Sequence, residues 1–221
     1  MRVRDIAIAG CGVAGLAAAA LLRRQGARVT LFDRLDEPRP LGSGLILQPV
    51  GLAVLDEIGA GTAIRALGAP IERLFGKSGK HIVLDVRYDA LGKHAPRRLS
   101  VHRGALFQVL YDAAQASGAA FETRREIVAA ADSACASPTD TKARASIWWS
   151  MRSAHARRCR GCRRKNLAYG ALWASLEWAG AFDAAALEQR YEAAQDGRRA
   201  ADRAFARGRT GHGGLLLEPA P

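Results

Sequence analysis

Gly10-Cys-Gly12-Val-Ala-Gly15 stands where two opposite sequence textures meet, and that junction constrains the fold more than any other feature of the chain. Before it, Asp5-Ile-Ala-Ile-Ala9 is a short run of β-branched and small residues, the pattern of a buried strand. After it, Val13 to Gln25 is rich in Ala and Leu, with Gly26 at the C-cap position, and predicts a helix. Arg28-Val-Thr-Leu-Phe32 predicts a second strand, closed by Asp33. Strand, G-x-G-x-x-G, helix, strand, acid is the order of a dinucleotide-binding βαβ unit.

Each part of the unit has a physical task. Gly10 permits the tight turn out of the strand, Gly12 lets backbone approach a pyrophosphate, and Gly15 lets the helix lie close to the strand. The N–H groups of the first helical turn, around Val13 and Ala14, face the phosphates with the positive end of the helix dipole. Asp33 stands 23 residues after Gly10, where a carboxylate can accept from both ribose hydroxyls. The competing reading is a glycine-rich turn in another α/β protein, with an Asp that merely ends a strand.

Beyond Asp33 the chain does not continue as a simple βα repeat. Asp36-Glu-Pro-Arg-Pro40 is a loop, followed by Leu41-Gly-Ser-Gly44-Leu-Ile-Leu-Gln48-Pro49. Val50 to Ile58 predicts a helix stopped by Gly59. Ile71–Phe75 and His81–Val86 flank Gly76-Lys-Ser-Gly79 as a hairpin. Leu99-Ser-Val-His-Arg103-Gly-Ala-Leu106 leads into a helix to about Ser117, and Phe121 to Val128 reads as a further strand.

This pattern resembles the group A FAD-dependent monooxygenases, the aromatic hydroxylases related to para-hydroxybenzoate hydroxylase. The matching pieces are Gly10/Gly12/Gly15, the pair Asp33-Arg34, the Gly-Ser-Gly-Leu-x-Leu-x-Pro run at 42–49, and R-x-x-L at Arg103 and Leu106. Glu is commoner in the family where Asp33 stands. The resemblance covers residues 3–130. It implies a Rossmann-like α/β FAD-binding unit with attached antiparallel strands, and an irregular or incomplete C-terminal part. It also implies that Asp33 binds the adenosine ribose, that Arg34 lies over the adenine side, and that Arg103 contacts the phosphate or ribityl region. Gly44 would lie near the flavin ring. For Arg103 the plainer alternative is an exposed arginine ahead of a helix.

The formal net charge is +12, and more than half of it lies in residues 131–165, with nine basic and two acidic side chains. A nucleic-acid-binding domain usually spreads its basic residues over a folded face, so local basicity asks for another cause. At this point the family carries D-x-V-V-G-A-D-G-x-x-S, which is absent here. Ser133-Ala-Cys-Ala-Ser-Pro-Thr-Asp-Thr-Lys and Ile147-Trp-Trp-Ser-Met-Arg-Ser-Ala-His-Ala-Arg-Arg-Cys159-Arg-Gly-Cys162 stand in its place. Trp and Met have single codons. Read one base upstream, the codons of Ile147-Trp-Trp-Ser-Met-Arg152 can spell D-L-V-V-D-A where Ser150 uses the TCn set and Arg152 is CGn, close to the missing motif. The sequence therefore suggests that residues 131–165 are translated out of frame and form a non-native or disordered segment. Rival readings are a zinc site on Cys159, Cys162, His155 and Cys135, an Arg/Trp nucleic-acid contact, and a solvated linker.

Residues 166–196 resemble a fragment of the family's substrate-binding domain, with Phe182 to Ala194 predicted as a helix from the spacing of Leu187, Arg190 and Tyr191. Residues 197–221 read as a disordered tail. Gly211-His-Gly-Gly214 does not match the family's later flavin motif, G-D-A-A-H-x-x-x-P. The expectation is a truncated chain that holds FAD weakly or not at all.

Other function classes are limited by composition. With 49% hydrophobic residues the chain can bury a core. Four Cys are too few and too irregular for a disulfide framework, which points to a reducing, cytoplasmic setting. No apolar run is long enough to span a bilayer, and Asp5 leaves too short an apolar run before Cys11 for a signal peptide. The resemblance implies oxygenation of a small organic, often aromatic, substrate with O2, NADH or NADPH and FAD. It implies no metal, and no catalytic side chain can be named; His81, His94 and His102 read as surface or loop residues. The alternatives are a non-catalytic dinucleotide-binding remnant and a basic nucleic-acid-binding protein. The oligomeric state cannot be read from the sequence.

Overall fold

The computed structural model describes residues 5–39, 44–88, 90, 92, 98–127, 183 and 185–189, together with the backbone of strands at 129–131, 134–136, 143–144, 147–149, 172–173, 190–192, 201–205 and 215–217. In chain order the elements begin β1 (Asp5–Ala9), α1 (Val13–Arg24), β2 (Arg28–Phe32), β3 (Gly44–Leu47), α2 (Pro49–Glu57), α3 (Gly61–Leu67), β4 (Ala69–Ile71), β5 (Arg73–Ser78) and β6 (His81–Arg87). They continue β7 (Arg98–His102), α4 (Arg103–Ala116), β8 (Ala120–Glu122), β9 (Ala129–Ala131), β10 (Ala134–Ala136), β11 (Ala143–Arg144) and β12 (Ile147–Trp149). The last four are β13 (Leu172–Trp173), β14 (Ala186–Glu192), β15 (Ala201–Phe205) and β16 (Leu215–Leu217). The chain divides into two compact units, residues 1–40, 54–60 and 106–165, and residues 41–53, 61–105 and 166–221.

The first unit is built on a parallel sheet in the order β12-β1-β2-β8. β1 is central, and Ile6, Ala7 and Ile8 are all buried, as a strand covered on both faces requires. α1 joins β1 to β2 and buries Leu16, Ala19 and Ala20. Its end explains why the helix stops where the sequence says. Gly26 has φ +83°, its N–H donates to Arg23 O, and the N–H of Ala27 donates to Leu22 O. That is a Schellman cap, which needs a left-handed residue. α2 closes in the same way at Gly59. The Arg23 guanidinium adds bonds to Ala27 O (2.8 Å) and Ser117 O (3.0 Å), tying the end of α1 to the end of α4.

The second unit carries a three-stranded antiparallel sheet, β3-β7-β4, and a six-stranded sheet, β13-β16-β15-β14-β5-β6. Its buried residues include Ile64, Ile71, Leu99 and Val101. The hairpin β5–β6 turns at Gly79-Lys80, later than the predicted Gly76–Gly79. Gly76 lies inside β5, where the register shifts by one residue before Lys77.

Two further expectations are corrected. Residues predicted as a helix over 182–194 hold strand β14. Leu187, Arg190 and Tyr191 have helical spacing, but β14 pairs in parallel with β5 from Ala186↔Arg73 to Tyr191↔Ser78 and antiparallel with β15. Pairing between distant segments overrides a weak local preference. The strand predicted over 121–128 is shorter, ending at Glu122, and Arg124 takes φ +56°. α3 was not signalled by any cap or long apolar period. Within the basic stretch the structure describes β10, β11 and β12, and within residues 197–221 it describes β15 and β16. The remaining residues of both segments, including Cys159 and Cys162, lie outside the described ones.

Candidate dinucleotide site

The carboxyl end of β1 and the start of α1 form a cradle whose shape follows from three glycines. Gly10 leaves β1 with φ +104°, a conformation open to glycine and strained for other residues. Its N–H donates to Phe32 O at 2.7 Å, so the turn is tied to β2 as it forms. Gly15 faces that turn: a Cβ there would collide with the carbonyl oxygen of Gly10. The helix can approach the strand only because this side chain is missing.

Gly12 differs. It is the N-cap of α1, makes no side-chain cap, and is exposed. Among the described residues, a Cβ added to it would meet nothing within 4 Å. The first-turn N–H groups point past Gly12 with the positive end of the helix, into space that no described residue fills at the Cβ position. Val13 is half-buried and Ala14 exposed. An anion with several acceptor oxygens suits this place.

Asp33 follows β2 directly. One carboxylate oxygen accepts the N–H of Cys11 at 2.7 Å, and the other accepts the N–H of Leu35 at 3.0 Å. The second contact is an Asx-turn, which directs the chain after β2. Each carboxylate oxygen has two lone pairs, so both retain acceptor capacity for sugar hydroxyls. The backbone of Asp33 is held as well, its N–H donating to Glu122 O and its carbonyl accepting from Arg125 N–H. Arg34 is exposed beside it. The glycines and the acid singled out in the sequence are thus physically joined through the Cys11 amide, which no side-chain pattern signals.

Cys11 itself is buried, and its thiol is pushed up to about 12, first by burial and then by the Asp33 carboxylate. It stays a neutral thiol, so the cradle presents no thiolate to repel phosphate.

In the second unit, antiparallel pairing of β3 with β7 sets Gly44 opposite His102, one residue from Arg103. Gly44 and Arg103 are both exposed. From the sequence, His102 is expected as a surface or loop residue. It is instead half-buried at the end of β7, and its Nδ1 accepts the N–H of Gly104 at 3.1 Å. The end of β3 is held too, as Arg98 donates to Gln48 Oε1 at 3.1 Å while its guanidinium lies 3.5 Å from the centre of the Tyr88 ring. Among the described residues no helix is long and apolar enough to cross a membrane.

A parallel βαβ unit with an open glycine cradle and an acid at the end of the second strand defines a dinucleotide-binding protein. The FAD binding domain family matches residues 4–145. Phenazine 1,6-dicarboxylic acid hydroxylase PhzS of Lysobacter antibioticus is 38% identical over 109 residues, which is 48% of this chain and 26% of the relative. Kynurenine 3-monooxygenase of Christiangramia forsetii is 31% identical over 130 residues, 56% of this chain and 28% of the relative. The solved structure of 2-methyl-3-hydroxypyridine-5-carboxylic acid oxygenase, in its C294A form, superposes with a TM-score of 0.85 at 20% identity, covering 99% of this chain and 60% of that one. The chain belongs to the FAD binding domain family of the group A FAD-dependent monooxygenases. It spans under a third of the length of these two curated relatives.

Proposed function

We propose that this chain is the FAD-binding part of a monooxygenase that uses NADH or NADPH and O2 to oxygenate a small organic, often aromatic, substrate in the cytoplasm. The observation that carries the reading is the open, uncapped start of α1 over Gly12, joined through the Cys11 amide to the Asp33 carboxylate. In this reading Gly10, Gly12, Val13, Ala14 and Gly15 form the pyrophosphate cradle. Asp33 accepts from the adenosine ribose, and Arg34 lies on the adenine side. Arg103 and Gly44 serve the flavin end. FAD, when bound, supplies the redox chemistry. The chain's own residues bind the cofactor and orient it.

The division of labour along the chain is part of the proposal: residues 1–130 bind FAD, 131–165 are non-native, 166–196 belong to a substrate-binding region, and 197–221 form a tail. Support for a shifted frame in 131–165 comes from β12. It lies parallel to β1, with Trp148 opposite Ala7 and Trp149 opposite Ile8. The alternative frame puts Leu-Val-Val over the same place, a run suited to a strand beside a buried one. The nucleotide sequence decides this: codons that forbid D-L-V-V in the upstream frame end the idea.

Titration of the purified chain with FAD, followed by quenching of flavin fluorescence, tests the cofactor reading. Saturable, tight quenching supports it and overturns the expectation of weak or absent binding, while absence of quenching at all FAD concentrations overturns the cofactor reading. Oxidation of NADH or NADPH by the FAD-loaded protein then separates an enzyme from a non-catalytic remnant that only holds the dinucleotide.

A further inference from the structure

β7 passes into α4 with no residue between them: His102 ends the strand and Arg103 opens the helix. His102 therefore occupies the N-cap position, and its Nδ1 accepts the N–H of Gly104. Ser, Thr, Asp or Asn usually does this work. An accepting Nδ1 carries no proton, so the proton of the neutral ring is on Nε2. Arg103 lies between the two residues that this bond joins. Across the sheet, the backbone of His102 is in register with Gly44. One imidazole thus stands at the junction that carries both of the candidate flavin-side residues.

We propose that His102 is a proton-sensitive positioning residue: unprotonated, it caps α4 and fixes Arg103 for the cofactor, and protonated it releases that hold and weakens FAD binding. The proposal rests on the reading of Arg103 and Gly44 as cofactor contacts. An imidazolium has two N–H donors and no acceptor, so the N–H of Gly104 would face another N–H. The added charge would also stand at the positive end of α4 and beside Arg103.

Among the described residues, the elements paired or packed at this junction carry mostly basic groups. β3 and β4 carry no ionisable side chain, and β7 carries Arg98 besides His102. α3 brings Arg65, and α4 brings Arg103 in its first turn and Asp112 further along. No carboxylate lies on β3, β4, β7, α3 or the first turn of α4, so none of these offers the imidazolium a counter-ion in place of the lost cap. Proton uptake and cofactor binding then oppose each other, and by linkage each weakens the other.

The test is FAD titration between pH 8 and pH 5.5. Wild-type protein is compared with His102→Asn and His102→Ala, with thermal midpoints recorded at each pH. The Asn amide oxygen can accept from Gly104 and does not titrate in this range. A coupling of ordinary size between a protonation site and a ligand site corresponds to roughly tenfold in affinity. The expected result is a roughly tenfold weaker wild-type FAD Kd at the acid end, a flat profile for His102→Asn, and weak, pH-independent binding for His102→Ala. Equal pH profiles in wild type and His102→Asn overturn the proposal and leave the cofactor reading intact. Absence of FAD binding by the wild type at every pH overturns both. If His102→Ala fails to fold, the wild-type against His102→Asn comparison still decides.

Discussion

The backbone N–H of Cys11 and the carboxylate of Asp33 are 2.7 Å apart, although 22 residues separate them. This bond makes Asp33 a structural part of the glycine turn as well as a candidate ligand for ribose. Asp33→Asn leaves one acceptor oxygen for two backbone N–H groups, Cys11 and Leu35, and sets an amide NH2 against one of them. A hydrogen bond to a charged group is worth about 1.5–3 kcal/mol. We expect Asp33→Asn to lose about 1–2 kcal/mol of stability and at least about tenfold in FAD affinity. Denaturant unfolding and FAD titration check the two effects. A variant with unchanged stability would show that the Cys11 contact contributes nothing to holding the turn.

Gly12 and Gly15 should separate binding from folding. Gly12 has φ −78°, within the range of any residue, and its Cβ position is empty. Gly12→Ala is expected to fold with stability changed by less than about 0.5 kcal/mol, while the new methyl group enters the open cradle and lowers FAD affinity. Gly15→Ala places its methyl group on the Gly10 carbonyl. Overpacking of this kind costs about 1–3 kcal/mol or more, here against backbone that cannot rotate away. The expected signature is a large drop in midpoint for Gly15→Ala and almost none for Gly12→Ala. The reverse order would mean that the cradle is not shaped by a close approach of α1 to β1.

What the sequence made legible was local. Asp5–Ala9 and Arg28–Phe32 are strands with the predicted bounds, because each is a short β-branched run closed by a turn residue. The ends of α1 and α2 were marked by Gly26 and Gly59, where φ is positive. What escaped depended on partners far along the chain. β14 exists through its ladder with β5, more than 100 residues earlier, and the periodicity of 182–194 could not contain that. Asp33 was legible as an acid at the end of a strand, but its bonds to Cys11 and Leu35 were not. His102 was missed because histidine is not among the usual capping residues. The junction of β7 with α4, with no residue to spare, was the only available signal.

Burial makes Cys11 a second test of the cradle. Its thiol is pushed from 9.0 to about 12, chiefly by burial and further by Asp33. At pH 8 the folded protein should therefore resist thiol alkylation at Cys11, with modification appearing on unfolding, as mass spectrometry of digests would record. The sign for stability follows from proton binding. Between about pH 9 and pH 12 the native thiol keeps its proton while the unfolded one loses it, so stability is full below 9 and falls as pH rises. Cys11→Ala should flatten this alkaline limb. Rapid alkylation of the native protein at pH 8 would show that the turn opens freely.

The Arg73–Asp85 pair should govern the acid limb of the β5–β6 hairpin. Arg73 Nε and Nη2 reach the two carboxylate oxygens at 2.7 and 2.8 Å, and the same guanidinium lies 4.3 Å from the centre of the Phe75 ring. The hydrogen bond from Arg73 holds the Asp85 carboxyl below its ordinary 3.8, against a smaller opposing effect of burial. A carboxyl depressed in the folded state contributes stability that is present above the unfolded value and is lost as pH falls through the folded one. The contribution is therefore full at neutral pH and disappears below about 4. Because the pair is partly exposed, its contribution at neutral pH is small and falls further with added salt. Asp85→Asn should lower the thermal midpoint slightly at pH 7 and make the decline below pH 4 shallower than in the wild type. Lys in place of Arg73 keeps the charge but loses the two-pronged contact and the planar stacking on Phe75, and should restore only part of the difference. Parallel acid limbs in wild type and Asp85→Asn would remove this pair as the cause.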